Sequence, residues 1–403
     1  MEQEIVKKKS TLTRLGWWLW RRAAIAALAL SILGLYGVIA LNLKIFNPIS
    51  KAFADYSITD FYYDLAGYNQ GNKKDTSNIV TIVDMTELPN RRALAMALEE
   101  IAACKPKTIG VDVVFEGLKE YDELGDSMIW SVAHAQPKTV FSYKLITDSF
   151  DGHEYHQTVR SFFADSLITQ GYTNMPRNIY GGMKRQLSVG CYVEGELVPS
   201  LIKRVADDYA EEETVPLADK DVRINFKPKE YAVVPPDSIM EYRNLIEDRI
   251  VLFGAMTEEA DMHYTPLGKI AGVKLLAFAI ETLIKHNEVR EVPQWLMWLL
   301  SFLVLLFSVA VFDAYDRFVA RRSPVARVFF GAILVKNIVK FMWMALFMWL
   351  SYLLFSLFDI SLNLAWALAA IAFTVSATNL YDLLAKYFNE KKQPKAESYA
   401  NEK

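Results

Sequence analysis

The sequence predicts an α/β extracytoplasmic domain with a largely parallel sheet, joined to a four-helix transmembrane region. Two patterns carry that prediction. Four apolar stretches, one before and three after a hydrophilic segment, are each long enough to cross a hydrocarbon core of about 30 Å. Within the hydrophilic segment, short β-rich apolar runs alternate with amphipathic runs of helix length.

The chain divides into a basic segment over 1–22, a span over 23–43, the outer domain over 44–293, three spans within 294–383, and a polar tail over 384–403 that reads as disordered. The apolar stretches are Ala23 to Asn42, Trp295 to Phe312, Phe341 to Phe358 and Leu362 to Leu380. Basic residues set the orientation. Lys7, Lys8, Lys9, Arg14, Arg21 and Arg22 precede the first span, and Arg317, Arg321, Arg322 and Arg327 lie between the second and third. Lys386, Lys391, Lys392 and Lys395 follow the fourth. The positive-inside rule puts these segments and both termini in the cytoplasm, and the large domain in the periplasm of an inner-membrane protein. Trp17, Trp18, Trp20, Trp295 and Trp298 read as interfacial belt residues. With 44 Lys and Arg against 47 Asp and Glu, the net charge of −3 gives no reason to expect a nucleic-acid partner.

In the outer domain, residues 45–65 have helical spacing and extend the first span. Asn78 to Asp84 is an apolar run ending in an acid, as in a strand buried on both faces. Leu88 to Ala103 has helical spacing, and Thr108 to Phe115 repeats the strand pattern, completing a βαβ unit. Further strands are expected near 138–145, 186–193 and 249–254, with a helix from about Val273 to His286. Only Asn287 to Gln294 separate that helix from the second span, so a shift of the helix has little slack in which to dissipate.

Asp84 and Asp112 fall at or near the carboxyl ends of strands expected to be neighbours, where open α/β sheets place ligands. Two acids there suit a metal or an acid–base pair; equally, they suit caps or pairs with Arg91, Arg92 or Arg185. Asp261 lies between the last strand and the helix that leads to the membrane, a position suited to coupling. His134, His153, His156, His263 and His286 have no metal-ligand spacing, and no nucleophile elbow, phosphate loop or dinucleotide fingerprint occurs, so neither an enzyme nor a cofactor is expected. Cys104 and Cys191, the only cysteines, allow either a disulfide or two buried thiols.

Several segments together resemble the CHASE2 domain family of extracellular sensory domains. Ile82-Val83-Asp84, then Arg91 and Arg92, then Gly110-Val111-Asp112-Val113-Val114-Phe115 follow the family's acid-ended strand, helix-opening arginine and second strand. Gly171-Tyr172-Thr173-Asn174, Gly182-Met183-Lys184-Arg185 and Val198-Pro199-Ser200-Leu201 resemble its middle segments. The run Asp248 to Gly254, Asp261, Thr265-Pro266-Leu267-Gly268 and Gly272 to Ala277 resembles its final one. Pro89-Asn90-Arg91 and Tyr180-Gly181-Gly182 depart from the family's Trp-Pro-Arg and Asp-Gly forms. One span before the domain and three after it is also the family's usual arrangement.

The resemblance implies a sensory domain, with Asp84, Arg91, Asp112, Arg185 and Asp261 as candidate ligand-binding residues. Family members usually continue into a kinase or cyclase output domain, so this chain is expected to bind a small molecule or protein outside and to signal through a separate partner. A structural subunit of an envelope complex is the alternative reading, followed by a metal-dependent hydrolase built on Asp84 and Asp112. Besides the lipid bilayer, the expected contact surface is the stretch from Asp313 to Arg327, where Tyr315, Phe318 and Val319 lie among charges.

Overall fold

The computed structural model describes residues 16–35, 59–60, 62–63, 75–136, 138–146, 155, 157–174, 182–227, 229–362 and 364–392. The end of the first predicted span beyond Leu35, most of the predicted helix over 45–65, His153, His156 and the tail from 393 lie outside these residues. The chain forms two compact units, Ala54–Arg290 and a second made of Met1–Phe53 with Glu291–Lys403.

Helix α1 (Gly16–Leu35) belongs to the second unit. The first is built on a seven-stranded mixed sheet with a largely parallel strand order. Its elements are β1 (Asp75–Asp84), α2 (Arg91–Ala103), β2 (Thr108–Val111), α3 (Glu123–Ala135), β3 (Thr139–Ile146), β4 (Gln157–Val159) and β5 (Thr169–Tyr172). After β6 (Gln186–Val193), β7 (Glu196–Pro199), α4 (Leu201–Ala210) and β8 (Lys220–Arg223) come β9 (Lys229–Val234) and β10 (Ile250–Gly254). The hairpin β11 (Met262–Thr265) and β12 (Gly268–Ala271) and helix α5 (Gly272–Ile284) complete it.

The main sheet runs β4-β3-β2-β10-β1-β9, with β5 also pairing β3. This corrects the sequence expectation in one respect. β1 and β2 are not neighbours, because β10 lies between them, parallel to both. The strand at 186–193 leaves the main sheet for a three-stranded one in the order β7-β6-β8. The second predicted strand is also shorter than its pattern suggests: pairing stops at Val111, and Phe115 turns into the core against Phe163, with ring centroids 5.7 Å apart.

Both faces of the sheet are covered, which explains the nearly unbroken apolar runs. Val83, Ile109, Val111, Val251 and Phe253 point to one face and pack with Leu98 and Ile101 of α2 and Ile129 and Val132 of α3. The opposite face is covered by α4 and α5: a Cβ on Gly110 would lie 3.1 Å from Val205 of α4, and α4 packs against α5. Helix α5 is almost wholly enclosed. Buried Glu281 ties it down by accepting hydrogen bonds from Ser77 Oγ, from Lys229 Nζ at 2.7 Å and from Lys285 Nζ at 3.3 Å.

The cysteines do not meet. Cys104 lies in the core under α2, against the carbonyl of Ile239 and the sulfur of Met240, whereas Cys191 packs with Tyr143 and Tyr172. Burial pushes the Cys191 thiol up to about 11 and raises that of Cys104 as well. Two thiols should therefore titrate in urea without reductant and resist alkylation in the native protein. A single disulfide in the purified protein would overturn this arrangement.

In the second unit α1, α6 (Gln294–Ala320) and, beyond the short α7 (Pro324–Gly331), α8 (Ile333–Phe358) are long and apolar enough to cross a membrane. A fourth such helix was expected. The chain there instead makes α9 (Ala365–Ala372) and α10 (Thr374–Lys392). The break at Phe373 has a local cause: its N–H reaches back to the carbonyls of Ala370 and Ile371, and Thr374 Oγ donates to the Ile371 carbonyl at 2.7 Å. A hydropathy reading of Leu362 to Leu380 sees the apolar run but not this hydroxyl.

Small residues let the helices approach closely. Ala26 and Leu33 of α1 pack with Met297 and Leu305 of α6 and with Ala367, Ala370 and Ile371 of α9. Arg22 of α1 pairs with Asp313 of α6 at 2.8 Å, and Arg21 pairs with Asp382 of α10 at 3.2 Å. Of the apolar residues expected to offer a contact surface, Val319 is buried and Tyr315 donates its hydroxyl to the Phe330 carbonyl at 2.8 Å. Phe318 remains exposed.

Candidate functional site at the carboxyl edge of the sheet

β10 makes the site. Helices α2 and α3, which follow β1 and β2, pack on one face, whereas α5, which follows β10, packs on the other. The chain thus diverges to opposite faces on both sides of β10, the arrangement that leaves a crevice at the carboxyl ends of parallel strands. Asp84 pairs in register with Gly254 at the end of β10, and the N–H of Asp112 donates to the Phe253 carbonyl at 2.9 Å. The two acids therefore flank β10 rather than facing each other across adjacent strands.

Asp84 is a loop organiser. Its Oδ1 accepts from the N–H of Thr86 at 2.9 Å, from Thr86 Oγ1 at 2.5 Å and from the N–H of Met256 at 3.1 Å. This joins the turn after β1 to the turn after β10. Beside it, a cavity of about 240 Å³ is lined by Asp84, Glu87, Val233, Pro235 and Pro236.

Asp112 and Asp261 form the more unusual pair. Burial pushes the Asp112 carboxyl up to about 7, the nearby Asp261 carboxylate adds to the rise, and Lys144 of β3 and His263 of β11 act against it. Asp261 ends a short 3-10 turn, Glu259–Asp261, and His263 Nε2 lies 3.4 Å from its Oδ1. Its carboxylate sits on the first turn of α5: a Cβ on Gly272 would fall 2.6 Å from Oδ1, which is why glycine opens that helix. Ala271 supplies no side-chain cap, so the Asp261 carboxylate is the negative group at the positive end of α5. Asp112 is close to the same turn, its Cβ 3.4 Å from a Cβ built on Gly254, which would also meet Val273.

The raised Asp112 carboxyl gives a signed pH dependence. Between the ordinary carboxylate value and about 7, the folded domain holds a proton that the unfolded chain has lost, so stability falls as pH rises through this window. The full effect is at most about 4 kcal/mol, and less where water reaches the group. Asp112→Asn should flatten the slope and raise stability at pH 8, measured by urea unfolding at pH 5 and 8. An unchanged slope would show that Asp112 ionises normally.

The structure brings Asp84, Asp112 and Asp261 to one edge of the sheet but commits the two arginines elsewhere. Arg91 pairs with Asp126 and donates to the carbonyls of Glu116 at 2.9 Å and Gly117 at 2.8 Å. Arg185 pairs with Asp60, its Nε 3.2 Å from Oδ1. Sequence reasoning missed Thr86, Lys144 and His263. His263 had one available signal, its alternation with Asp261; Lys144 had none, because strand order brings β3 to the site. Among the described residues no group of three acidic, histidine or cysteine side chains is arranged to hold a metal ion.

Other residues of the sequence motifs are structural. The side chain of Asn174 replaces a strand: Leu145 N–H donates to its Oδ1 at 2.6 Å and its Nδ2 donates to the Leu145 carbonyl at 2.8 Å. Ser200 caps α4 by accepting from the Lys203 N–H. Gly171 lies against the backbone of Ser200 and Leu201. A family model for the CHASE2 domain matches residues 32–312, which contain all these motifs and reach into both α1 and α6. The chain belongs to the CHASE2 domain family. CHASE2 is a sensory extracellular domain family, and that role fits a non-enzyme. Searches of curated proteins and of solved structures give no match to this CHASE2 protein.

Proposed function

We propose that this CHASE2 protein is a membrane-anchored periplasmic sensor that reads an effector at the carboxyl edge of the sheet and passes its occupancy through α5 and α6 to a separate partner chain. One observation carries the reading: the Asp261 carboxylate sits on the first turn of α5 and acts electrostatically on the nearby Asp112 carboxyl, and α5 is followed by the membrane helix α6 after residues 285–293. Two neighbouring acids repel, so an effector presenting a cation or hydrogen-bond donors relieves that repulsion and changes the field at the α5 terminus. Such a ligand has the differential interaction that any population shift requires.

Mild crosslinking in native membranes, followed by mass spectrometry, tests the partner. One reproducible second protein is expected, with its yield changed by Asp261→Ala while the domain still unfolds cooperatively. Recovery of only monomer and self-linked species sinks the reading and leaves a scaffold. Orientation is tested separately by reporter fusions. Alkaline phosphatase should be active when fused after Asp219 and inactive after Asp316; the opposite pattern reverses the topology.

A further inference from the structure

A concavity of about 550 Å³ lies at the end of α6, lined by Ala314, Arg317, Phe318, Arg321 and Arg322. Ala314, Arg317 and Phe318 share one face of α6, and Arg321 and Arg322 follow in the turn that ends it, so all three arginines line one groove. The acids nearby are already engaged. Asp313 pairs with Arg22 at 2.8 Å, and Asp316 with Lys336 at 2.7 Å. Arg327 turns away, donating to the carbonyls of Ala320 and Arg322. Among the described residues, no carboxylate pairs with Arg317, Arg321 or Arg322. Arg322 lies over the Phe318 ring at 4.1 Å, and Arg317 Nε donates to the Asp313 carbonyl at 3.2 Å. Arg321 makes no side-chain bond there.

We propose that this groove binds a phosphate-bearing anion, the headgroup of an anionic phospholipid. Guanidinium groups match phosphate in charge and in paired N–H geometry, and three of them have no carboxylate partner among the described residues. The depth favours a lipid as the source. The apolar stretch from Trp295 to Phe312 rises about 27 Å as a helix, close to a hydrocarbon thickness, so the next two turns emerge at the headgroups. Directly after the groove, α7 exposes Val325, Val328 and Phe329, apolar side chains suited to the same interface.

The test is native mass spectrometry of the full-length protein with added phosphatidylglycerol, phosphatidylcholine or inorganic phosphate. Phosphatidylglycerol should be retained over phosphatidylcholine, and each arginine changed to glutamine should weaken retention about fivefold. The lysine variant Lys340→Gln, which removes a neighbouring charge outside the groove, should leave retention unchanged. If Arg317→Gln/Arg321→Gln/Arg322→Gln retains phosphatidylglycerol like the wild type, the proposal fails. Should that triple variant insert poorly, Arg321→Gln alone decides, since its guanidinium makes no side-chain bond among the described residues; wild-type retention again overturns the site. Equal loss in the lysine variant also overturns it, by reducing the effect to general surface charge. Inorganic phosphate held with the same arginine dependence, with no lipid retained, overturns the lipid source.

Discussion

Arg91→Ala should destabilise the periplasmic domain by about 3–5 kcal/mol, the cost of leaving a buried charge without its partner. Both ends of the Arg91–Asp126 pair are buried, with side-chain exposures of 9% and 6%. The guanidinium also holds the loop after β2 through the carbonyls of Glu116 and Gly117 and lies over the Phe162 ring at 5.1 Å. Burial alone would raise the Asp126 carboxyl, but hydrogen bonds from Arg91 and from the Lys119 N–H outweigh it and hold the group below the usual carboxylate range. That contribution is present above the unfolded carboxylate value and is lost as pH falls through the lower folded one. Arg91→Lys should rescue little, because one ammonium cannot reach partners lying in three directions. Urea unfolding followed by hydrogen exchange in β1, β2 and α3 provides the measurement. A variant within about 1 kcal/mol of wild type but altered in effector response would return Arg91 to the ligand site.

Gly171→Ala should cost about 3 kcal/mol or more. Its new Cβ would lie 2.6 Å from both the Cα and the N of Leu201 and 2.7 Å from the carbonyl carbon of Ser200. These are backbone atoms at the start of α4, and they are also held by the Tyr172–Ser200 bridge, so no side chain can swing aside. Gly182→Ala is the control, since a Cβ there meets nothing within 4 Å. Equal melting temperatures for the two variants would mean that α4 shifts freely against β5.

Much of the domain was legible because its strands are buried on both faces. Val80, Ile82 and Val83 leave little ambiguity about β1, and the helical spacing of Leu94, Leu98 and Ile101 places α2 nearly to its ends. The strand order was not legible, because nothing in Ile250 to Gly254 says which edges it will fill. Asp84, Asp112 and Asp261 could be placed at one edge from their positions after strands. The pairing of Arg91 and Arg185 was not legible, because Asp126 and Asp60 are recognised as their partners only once the loops are folded. The broken helix at Phe373 escaped for a related reason: a threonine's effect on a helix depends on which carbonyl its hydroxyl reaches.

The central position of β10 has a consequence for how the protein is made. Its five residues fill the gap between β1 and β2, which are translated more than a hundred residues earlier. Until Gly254 has crossed the membrane, both older strands carry an unsatisfied edge, an invitation to pair with another chain. Sheet closure is thus a late, long-range event, slow by the loop that must be spanned. The nascent domain needs shielding at that stage, whether by a periplasmic chaperone or by fast export. Slowing translation between residues 112 and 250 should increase aggregation more than an equal pause after residue 254.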